Sequence, residues 1–175
     1  EQNAQAQARW KVTQTLQALG EYSTALRSGY RARALGLEVS SELAELEHLA
    51  GAGHEPLFSI ILTTYNRPEL LKDALASVGQ QSLRDFETIL VNDNGVVIEP
   101  LLANYDFPIT YVRQGRNQGP AAARNAAIRL ARGQYVVYLD DDDRYLPEHL
   151  QVLAEALDAH PDRVVYTDAV FILEK

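Results

Sequence analysis

The chain has 175 residues, a net charge of −8 at pH 7 and a sequence pI near 5.0. Because Lys and Arg form no stripe along it, this acidic balance argues against a nucleic-acid-binding face or an anchor for anionic membranes. The absence of cysteine excludes disulfides and thiolate metal sites. The length suits one domain of about 100 to 150 residues with an appendage.

The apolar runs of the sequence are too short to cross a membrane. They fall well below the roughly 18 residues that a spanning helix needs. The chain opens with Glu1, Gln2 and Asn3, unlike the basic and apolar start of a signal peptide. These features predict a soluble piece of a longer protein, cytoplasmic in location, and leave peripheral membrane association open for the full-length protein.

Residues 1–54 are rich in Ala, Gln, Leu and Glu and contain no strand-like run. Apolar residues recur there at helical spacing in three groups: Val12, Leu16 and Leu19; Tyr22, Leu26 and Tyr30; Leu43, Leu46 and Leu49. We therefore predict a helical N-terminal extension over residues 1–54, joined by a Gly-containing linker to a main domain over residues 55–175. Its apolar stripes are expected to pack against that domain, with self-association as the alternative.

From residue 57 onward, strand-like and helix-like periods alternate. The predicted strands cover residues 57–64, 86–91, 109–112, 135–139 and 164–170, and the predicted helices begin near Pro68, Pro120 and Pro147. Asn66 is expected to cap the first helix, and Gly133 to close the second after Arg132. This alternation indicates an α/β fold with a mostly parallel sheet and helices on both faces.

The strand over residues 135–139 runs into four consecutive carboxylates, Asp140 to Asp143. Such charges cannot be buried without a partner, and a divalent metal ion is the partner that clustered carboxylates favour. A solvated acidic loop is the alternative, and the acidic run alone does not decide between the two.

Two further polar clusters follow predicted strands. Residues 63–66 (Thr-Thr-Tyr-Asn) follow the first strand, and residues 92–94 (Asn-Asp-Asn) follow the second. Parallel strands share one carboxyl edge, where such sheets bind ligands, so these clusters and the acidic run should converge. The convergence argues against a merely solvated acidic loop.

The residue types at this edge suit a nucleotide held with a hard metal ion. Mg²⁺ and Mn²⁺ take one or two carboxylates and complete their shell with substrate phosphates. Asp93 could accept hydrogen bonds from a base or ribose, and Tyr65 offers a face for stacking. Arg124 and Arg116 could approach phosphates or the base. Because neither a Gly-x-Gly-x-x-Gly loop nor a Walker loop occurs, a metal must neutralise the phosphates.

Four segments together resemble the inverting family 2 glycosyltransferases of GT-A fold, the SpsA-like group. They are residues 58–67 (FSIILTTYNR), 89–95 (ILVNDNG), 117–125 (NQGPAAARN) and 138–143 (YLDDDD). Each segment alone is a weak signal, but four in the family's order form a strong one. The resemblance covers about residues 57–173.

This resemblance implies a nucleotide-sugar donor, most often UDP-linked, and a saccharide or other hydroxyl acceptor. It implies that the base and ribose lie near Thr63, Tyr65 and Asp93, with Arg124 as a further nucleotide-binding residue. The family usually has two acidic residues where this chain has Asn92 and Asp93, so only Asp93 is carried over.

The acidic run corresponds to the DxD motif of the family, with Asp140 and Asp142 as its carboxylates. Asp142 is expected to contact Mn²⁺ or Mg²⁺ directly, and Asp141 to contact the ribose or a phosphate. The run of four leaves this register open by one residue. The catalytic base is expected beyond Lys175, because the acceptor-binding half of the family follows the region matched here.

Three functions remain open on the sequence. The first is the donor domain of a metal-dependent, inverting glycosyltransferase. The second is a sugar-phosphate nucleotidyltransferase on a related sheet, which would need a sugar phosphate and a nucleoside triphosphate. The third is a non-catalytic interaction module, for which nucleotide and Mn²⁺ would leave the melting temperature unchanged.

Overall fold

A computed structural model of the chain describes residues 2–18 and 55–170. The helices are α1 (Gln2–Ala18), α2 (Pro68–Gly79), α3 (Glu99–Leu102), α4 (Pro120–Ile128) and α5 (His149–Ala159). The strands are β1 (Phe58–Thr64), β2 (Phe86–Asn92), β3 (Ile109–Arg113) and β4 (Tyr135–Asp140). None of the helices in these two stretches is long and apolar enough to cross a membrane. The helices predicted between residues 19 and 54 lie outside the described residues.

The strands form one parallel sheet in the order β3-β2-β1-β4. The chain adds β2 and β3 on one side of β1 and then returns to the other side for β4. This reversal is a topological switch point, which leaves a crevice beyond the carboxyl ends of β1 and β4. The predicted α/β fold with a mostly parallel sheet is confirmed.

Alternation along the strands divides the core between the two faces of the sheet. On one face, Phe58 and Ile60 of β1 belong to a buried cluster with residues of α2 and α5. On the other face, Ile61 packs with Ala123 and Ala127 of α4. Helices on both faces therefore hold the strands in place and leave their carboxyl ends free for the crevice.

A polar network built on the buried side chains of Ser59 and Glu87 lies near the amino-terminal ends of β1 and β2. It also includes Arg132 and Gly133, and we call it the basal network. Glu87 Oε1 accepts from the Ser59 hydroxyl and from the Arg132 backbone N–H, each at 2.7 Å. Glu87 Oε2 accepts from Arg132 Nε at 3.0 Å and Nη2 at 2.8 Å, and the Gly133 N–H donates to Ser59 Oγ at 2.8 Å. Burial works against the charge of Glu87, but these bonds hold the pKa of its carboxyl below the ordinary value.

Helix α1 packs against the main domain. Trp10 contacts the buried cluster that includes α2 and α5, and Ala6 and Thr13 are buried. Arg9 Nη2 pairs with Asp158 Oδ2 of α5 at 3.0 Å. The side chains of the predicted stripe Val12, Leu16 and Leu19 lie outside the described residues, and self-association through the extension stays a prediction.

The strand predicted over residues 164–170 is absent. Those residues lack strand structure, and Val164, Tyr166 and Val170 are exposed. Their β-branched and aromatic side chains suit a strand, but strand propensity depends on a neighbour to pair with. Within residues 55–170 no strand pairs with this segment.

Three helix boundaries also differ from the sequence prediction. Arg67, not Asn66, occupies the N-cap position of α2, and its side chain makes no capping bond. Asn66 has a φ of 57°, and its Oδ1 accepts from the Val96 N–H at 2.9 Å, so it joins two loops instead. Helix α4 ends at Ile128, and α5 begins only at His149.

Candidate functional site

The acidic run lies at the carboxyl end of β4, beside the end of β1. Asp140 is the last residue of β4 and is in register with Thr63, while Thr64 is in register with Asn92 of β2. The ends of β2, β1 and β4 therefore form one row along the crevice. The predicted convergence of three polar clusters is confirmed.

Three of the four carboxylates, Asp140, Asp142 and Asp143, form a group that we call the acidic triad. One oxygen of each lies within 4.8 Å of the others. Asp142 and Asp143 are exposed, and Asp140 is half-buried. Ionised carboxylates offer only acceptor oxygens, the ligands that Mg²⁺ and Mn²⁺ prefer, so this donor set fits a divalent cation.

Burial and the charges of the acidic triad shift the pKa values of two groups at this site, Asp143 and Tyr145. Burial, and then the charges of Asp142 and Asp140, raise the pKa of the Asp143 carboxyl. Burial and neighbouring carboxylates also raise the pKa of the Tyr145 hydroxyl. Tyr145 thus stays protonated, and it donates to the backbone carbonyl oxygen of Tyr138 at 2.6 Å. A bound cation would relieve the repulsion among the carboxylates.

Asp141 differs from the acidic triad because it is buried. Its Oδ2 accepts from the Thr64 hydroxyl at 2.7 Å, and its Oδ1 accepts from Arg67 Nη1 at 3.2 Å. The same Arg67 nitrogen donates to Asp142 Oδ2 at 2.8 Å. Sequence reasoning placed Thr64 in the polar cluster over residues 63–66 but gave neither Thr64 nor Arg67 a role, because both contacts cross more than 70 residues of chain.

Arg124 reaches the acidic triad from α4. Its guanidinium forms an ion pair with Asp140, and both residues line an open cleft with Tyr138 and Asp143. Tyr138 was predicted only as a strand residue, yet its side chain is exposed in this cleft. The structure therefore brings together Arg124 and the predicted metal ligands.

Asp93 anchors the loop that precedes α4. Its Oδ1 accepts from the Gln118 N–H at 2.8 Å and its Oδ2 from the Gly119 N–H at 2.7 Å. The Asp93 N–H itself donates to the Thr64 carbonyl oxygen at 2.9 Å. Asp93 is only 4% exposed. The sequence shows an aspartate after a strand, but not the two amides that reach it.

The other predicted nucleotide-binding residues, Thr63 and Tyr65, flank Thr64 at the end of β1. Thr63 is half-buried between Val91 of β2 and Asp140 of β4. Tyr65 is 47% exposed at the start of the following loop. Both residues lie at the crevice, and their contacts with a ligand stay predictions.

Comparison with known proteins identifies the family that this chain resembles in sequence. The sequence model described as Glycosyl transferase family 2 matches residues 59–174. The chain is 36% identical over 115 residues to the uncharacterized glycosyltransferase YwdF of Bacillus subtilis (strain 168), covering 65% of this chain and 42% of that protein. It is 33% identical over 105 residues to the GalNAc(5)-diNAcBac-PP-undecaprenol beta-1,3-glucosyltransferase of Campylobacter jejuni, covering 57% and 34%. The chain thus spans less than half the length of these curated relatives.

Solved structures of TarS from S. aureus share the fold. TarS 1-349 in complex with UDP superposes with a TM-score of 0.57 at 28% identity, covering 59% of this chain and 32% of that chain. The complex with UDP-GlcNAc gives a TM-score of 0.56 at 27% identity over the same shares. The family match over residues 59–174, carried on a parallel sheet with the polar crevice at its switch point, shows that this chain belongs to glycosyl transferase family 2.

Proposed function

We propose that this chain binds a nucleotide-diphosphate sugar, with UDP as the nucleotide, together with Mn²⁺ or Mg²⁺. It would form the donor-binding part of an enzyme that transfers a glycosyl group, with inversion, to a hydroxyl acceptor. One observation carries the proposal: a continuous row of polar contacts joins Asp93, Thr64 and Asp141 across the ends of β2, β1 and β4. The acidic triad and Arg124 adjoin that row.

The acidic triad is the proposed metal site, with Asp142 as the ligand in direct contact. Asp142 is exposed, and in sequence it falls between the other two members of the acidic triad, Asp140 and Asp143. A divalent cation held there would act as a Lewis acid and offset the charge of the departing nucleoside diphosphate. Arg124, paired with Asp140 at the cleft, adds a second positive group beside that position.

The nucleotide is proposed to lie over the ends of β1 and β2. Tyr65 offers an exposed ring for stacking, and Thr63 lies beside Asp140. Asp93 is buried and each of its oxygens accepts one backbone bond, so we assign it to holding the loop before α4 beside the nucleotide. Asp141 is buried, and we assign it to positioning Thr64 and Arg67 instead of contacting the ribose or a phosphate.

The comparisons favour glycosyl transfer over the two alternatives from the sequence. The two relatives described above carry glycosyltransferase or glucosyltransferase names, and TarS has been solved with UDP and with UDP-GlcNAc. A sugar-phosphate nucleotidyltransferase or an inert interaction module finds no support among them.

Calorimetry of UDP binding tests the proposal. UDP should bind with Mn²⁺ or Mg²⁺ and bind much more weakly in EDTA, because a cation held by the acidic triad would offset the charge of the diphosphate. Asp142→Asn should weaken UDP binding about 10- to 100-fold. Losing a residue that only hydrogen-bonds a metal ligand already lowers metal affinity by that much. Asp143→Asn, the matched control, should cost less.

Two results would contradict this assignment. Equal UDP affinity with and without EDTA would remove the metal from the proposal. A larger loss for Asp143→Asn than for Asp142→Asn would move the metal-binding register by one residue. A thermal-shift series with UDP, GDP and ADP would check the choice of base.

A further inference from the structure

Arg67 bridges the buried and the exposed carboxylates of the acidic run. Its Nη1 donates to Asp141 Oδ1 at 3.2 Å and to Asp142 Oδ2 at 2.8 Å. Asp141 is buried and is also held by Thr64, whereas the Asp142 side chain is half exposed. One nitrogen thus joins a buried carboxylate to a half-exposed one.

The position of Arg67 is not explained by helix stability. It occupies the N-cap position of α2, where the helix dipole disfavours a positive side chain. Its side chain makes no capping bond and is 52% exposed, so it contributes little to the core. The contact that accounts for its placement is the one with the acidic run.

A divalent cation in the acidic triad would need the carboxylate that Arg67 now holds. The guanidinium and the cation are both positive and would both use the oxygens of Asp142. Whichever oxygen of Asp142 the cation takes, its charge would repel the guanidinium, so cation binding would weaken the Arg67–Asp142 pair. The bond to Asp141 involves a residue outside the triad, so Arg67 can keep that bond while it gives up the other.

We propose that Arg67 is an internal counter-cation of the acidic triad: it neutralises Asp142 when no metal is bound and competes with the metal for that carboxylate. This inference rests on the metal site of the proposed function. Arg67 thereby lowers the affinity for free metal. It acts through Asp142 and is a positioning residue, with no role assigned to it in the chemical step.

The test measures the binding of Mn²⁺ without nucleotide. Calorimetry gives the affinity, and the decrease in the electron paramagnetic resonance signal of free Mn²⁺ gives an independent value. Arg67→Gln should bind Mn²⁺ about two- to fivefold more tightly than the wild type, the size expected when an exposed ion pair no longer competes. Arg144→Gln is the matched control. Arg144 is also exposed, at 51%, and pairs with Asp73 at 2.5 Å instead of with the triad.

The outcomes separate this inference from the proposed function. Tighter Mn²⁺ binding in Arg67→Gln, with Arg144→Gln close to wild type, supports competition. Equal tightening in both variants would show only the loss of a nearby positive charge and would overturn the inference. Equal or weaker binding in Arg67→Gln alone would also overturn it, while leaving the metal site intact. Absence of Mn²⁺ binding in every variant would remove the metal site and the competition together.

Discussion

The two ends of the sheet carry the same kind of ion pair with an exposed arginine, but the carboxylate is buried at one end and half exposed at the other. In the basal network, Glu87 is buried and its two oxygens accept four hydrogen bonds. In the acidic triad, Asp142 is half exposed and accepts from Arg67 alone among the described side chains. The first carboxylate is saturated by protein donors, and the second has oxygens left for another partner.

This difference distinguishes residues that stabilise the fold from residues that are available to bind a ligand. Leaving the buried carboxylate of Glu87 short of its donors costs about 1–3 kcal/mol, because a buried acceptor then lacks a hydrogen-bond partner. An exposed pair contributes about 0–1 kcal/mol, so it can be exchanged for a ligand at little cost to the fold. Substitutions near the amino-terminal end of the strands should therefore change unfolding, and substitutions in the acidic triad should change binding.

The largest loss of stability is expected for Gly133→Ala in the basal network. A Cβ at Gly133 would lie 2.5 Å from the Ser59 backbone nitrogen and 2.7 Å from the Phe58 carbonyl carbon, so backbone would have to move. Overpacking of this kind should lower the free energy of unfolding by about 3 kcal/mol. Urea unfolding would measure it.

Gly115→Ala is the control for Gly133→Ala, because a Cβ at Gly115 would meet no atom within 4 Å. Its unfolding free energy should stay within about 0.5 kcal/mol of wild type. If the two variants lose similar stability, the close packing at the basal network is not what the glycine provides.

A smaller loss, about 1–3 kcal/mol, is expected for Asp93→Ala, because it leaves the Gln118 and Gly119 N–H groups without their acceptor. The same variant should weaken UDP binding, since the loop before α4 loses its anchor. Asp93→Asn retains one acceptor oxygen and should recover part of the stability. Thermal unfolding and UDP calorimetry on both variants would measure the two effects.

Tyr65→Ala sharpens the contrast with Asp93→Ala. Tyr65 is exposed, so its removal should change stability by no more than about 0.5 kcal/mol while weakening UDP binding. Loss of folding in Tyr65→Ala would show that the ring is structural. An unchanged melting temperature in Asp93→Ala would show that the loop needs no anchor.

The smallest expected effect is a pH dependence of stability from Glu87. The folded-state pKa of Glu87 lies below the ordinary value of 4.5, so its contribution is present above that value. The contribution is lost as the pH falls below 4.5 and through the folded-state pKa. The wild-type advantage over Glu87→Gln should therefore shrink in acid, as measured by urea unfolding at a series of pH values.

Glu69→Gln is the control for this pH series, because Glu69 is exposed and, among the described residues, pairs only with Lys72 three residues away. The difference in unfolding free energy between Glu69→Gln and the wild type should stay small at every pH of the series. A Glu87→Gln profile that runs parallel to wild type through the acidic range would contradict the role assigned to the basal network.

Much of the fold follows from local patterns in the sequence. Alternation and β-branched residues placed β1, β2, β3 and β4 to within one residue at each end. Side-chain pattern and turn residues decide such elements over short distances. The strand predicted over residues 164–170 failed for the same reason, since a local pattern says nothing about whether a neighbouring strand is present.

The sequence by itself determined the parallel α/β order, the family resemblance and the gathering of carboxylates at one edge, because strand polarity forces successive strand ends together. Only the tertiary structure decided which carboxylate does what. Asp141 is buried against Thr64, Asp142 faces Arg67, and Asp93 holds the amides before α4. Those differences arise from burial and from partners distant in the chain. Neither can be predicted from the presence of an aspartate at a position in the sequence.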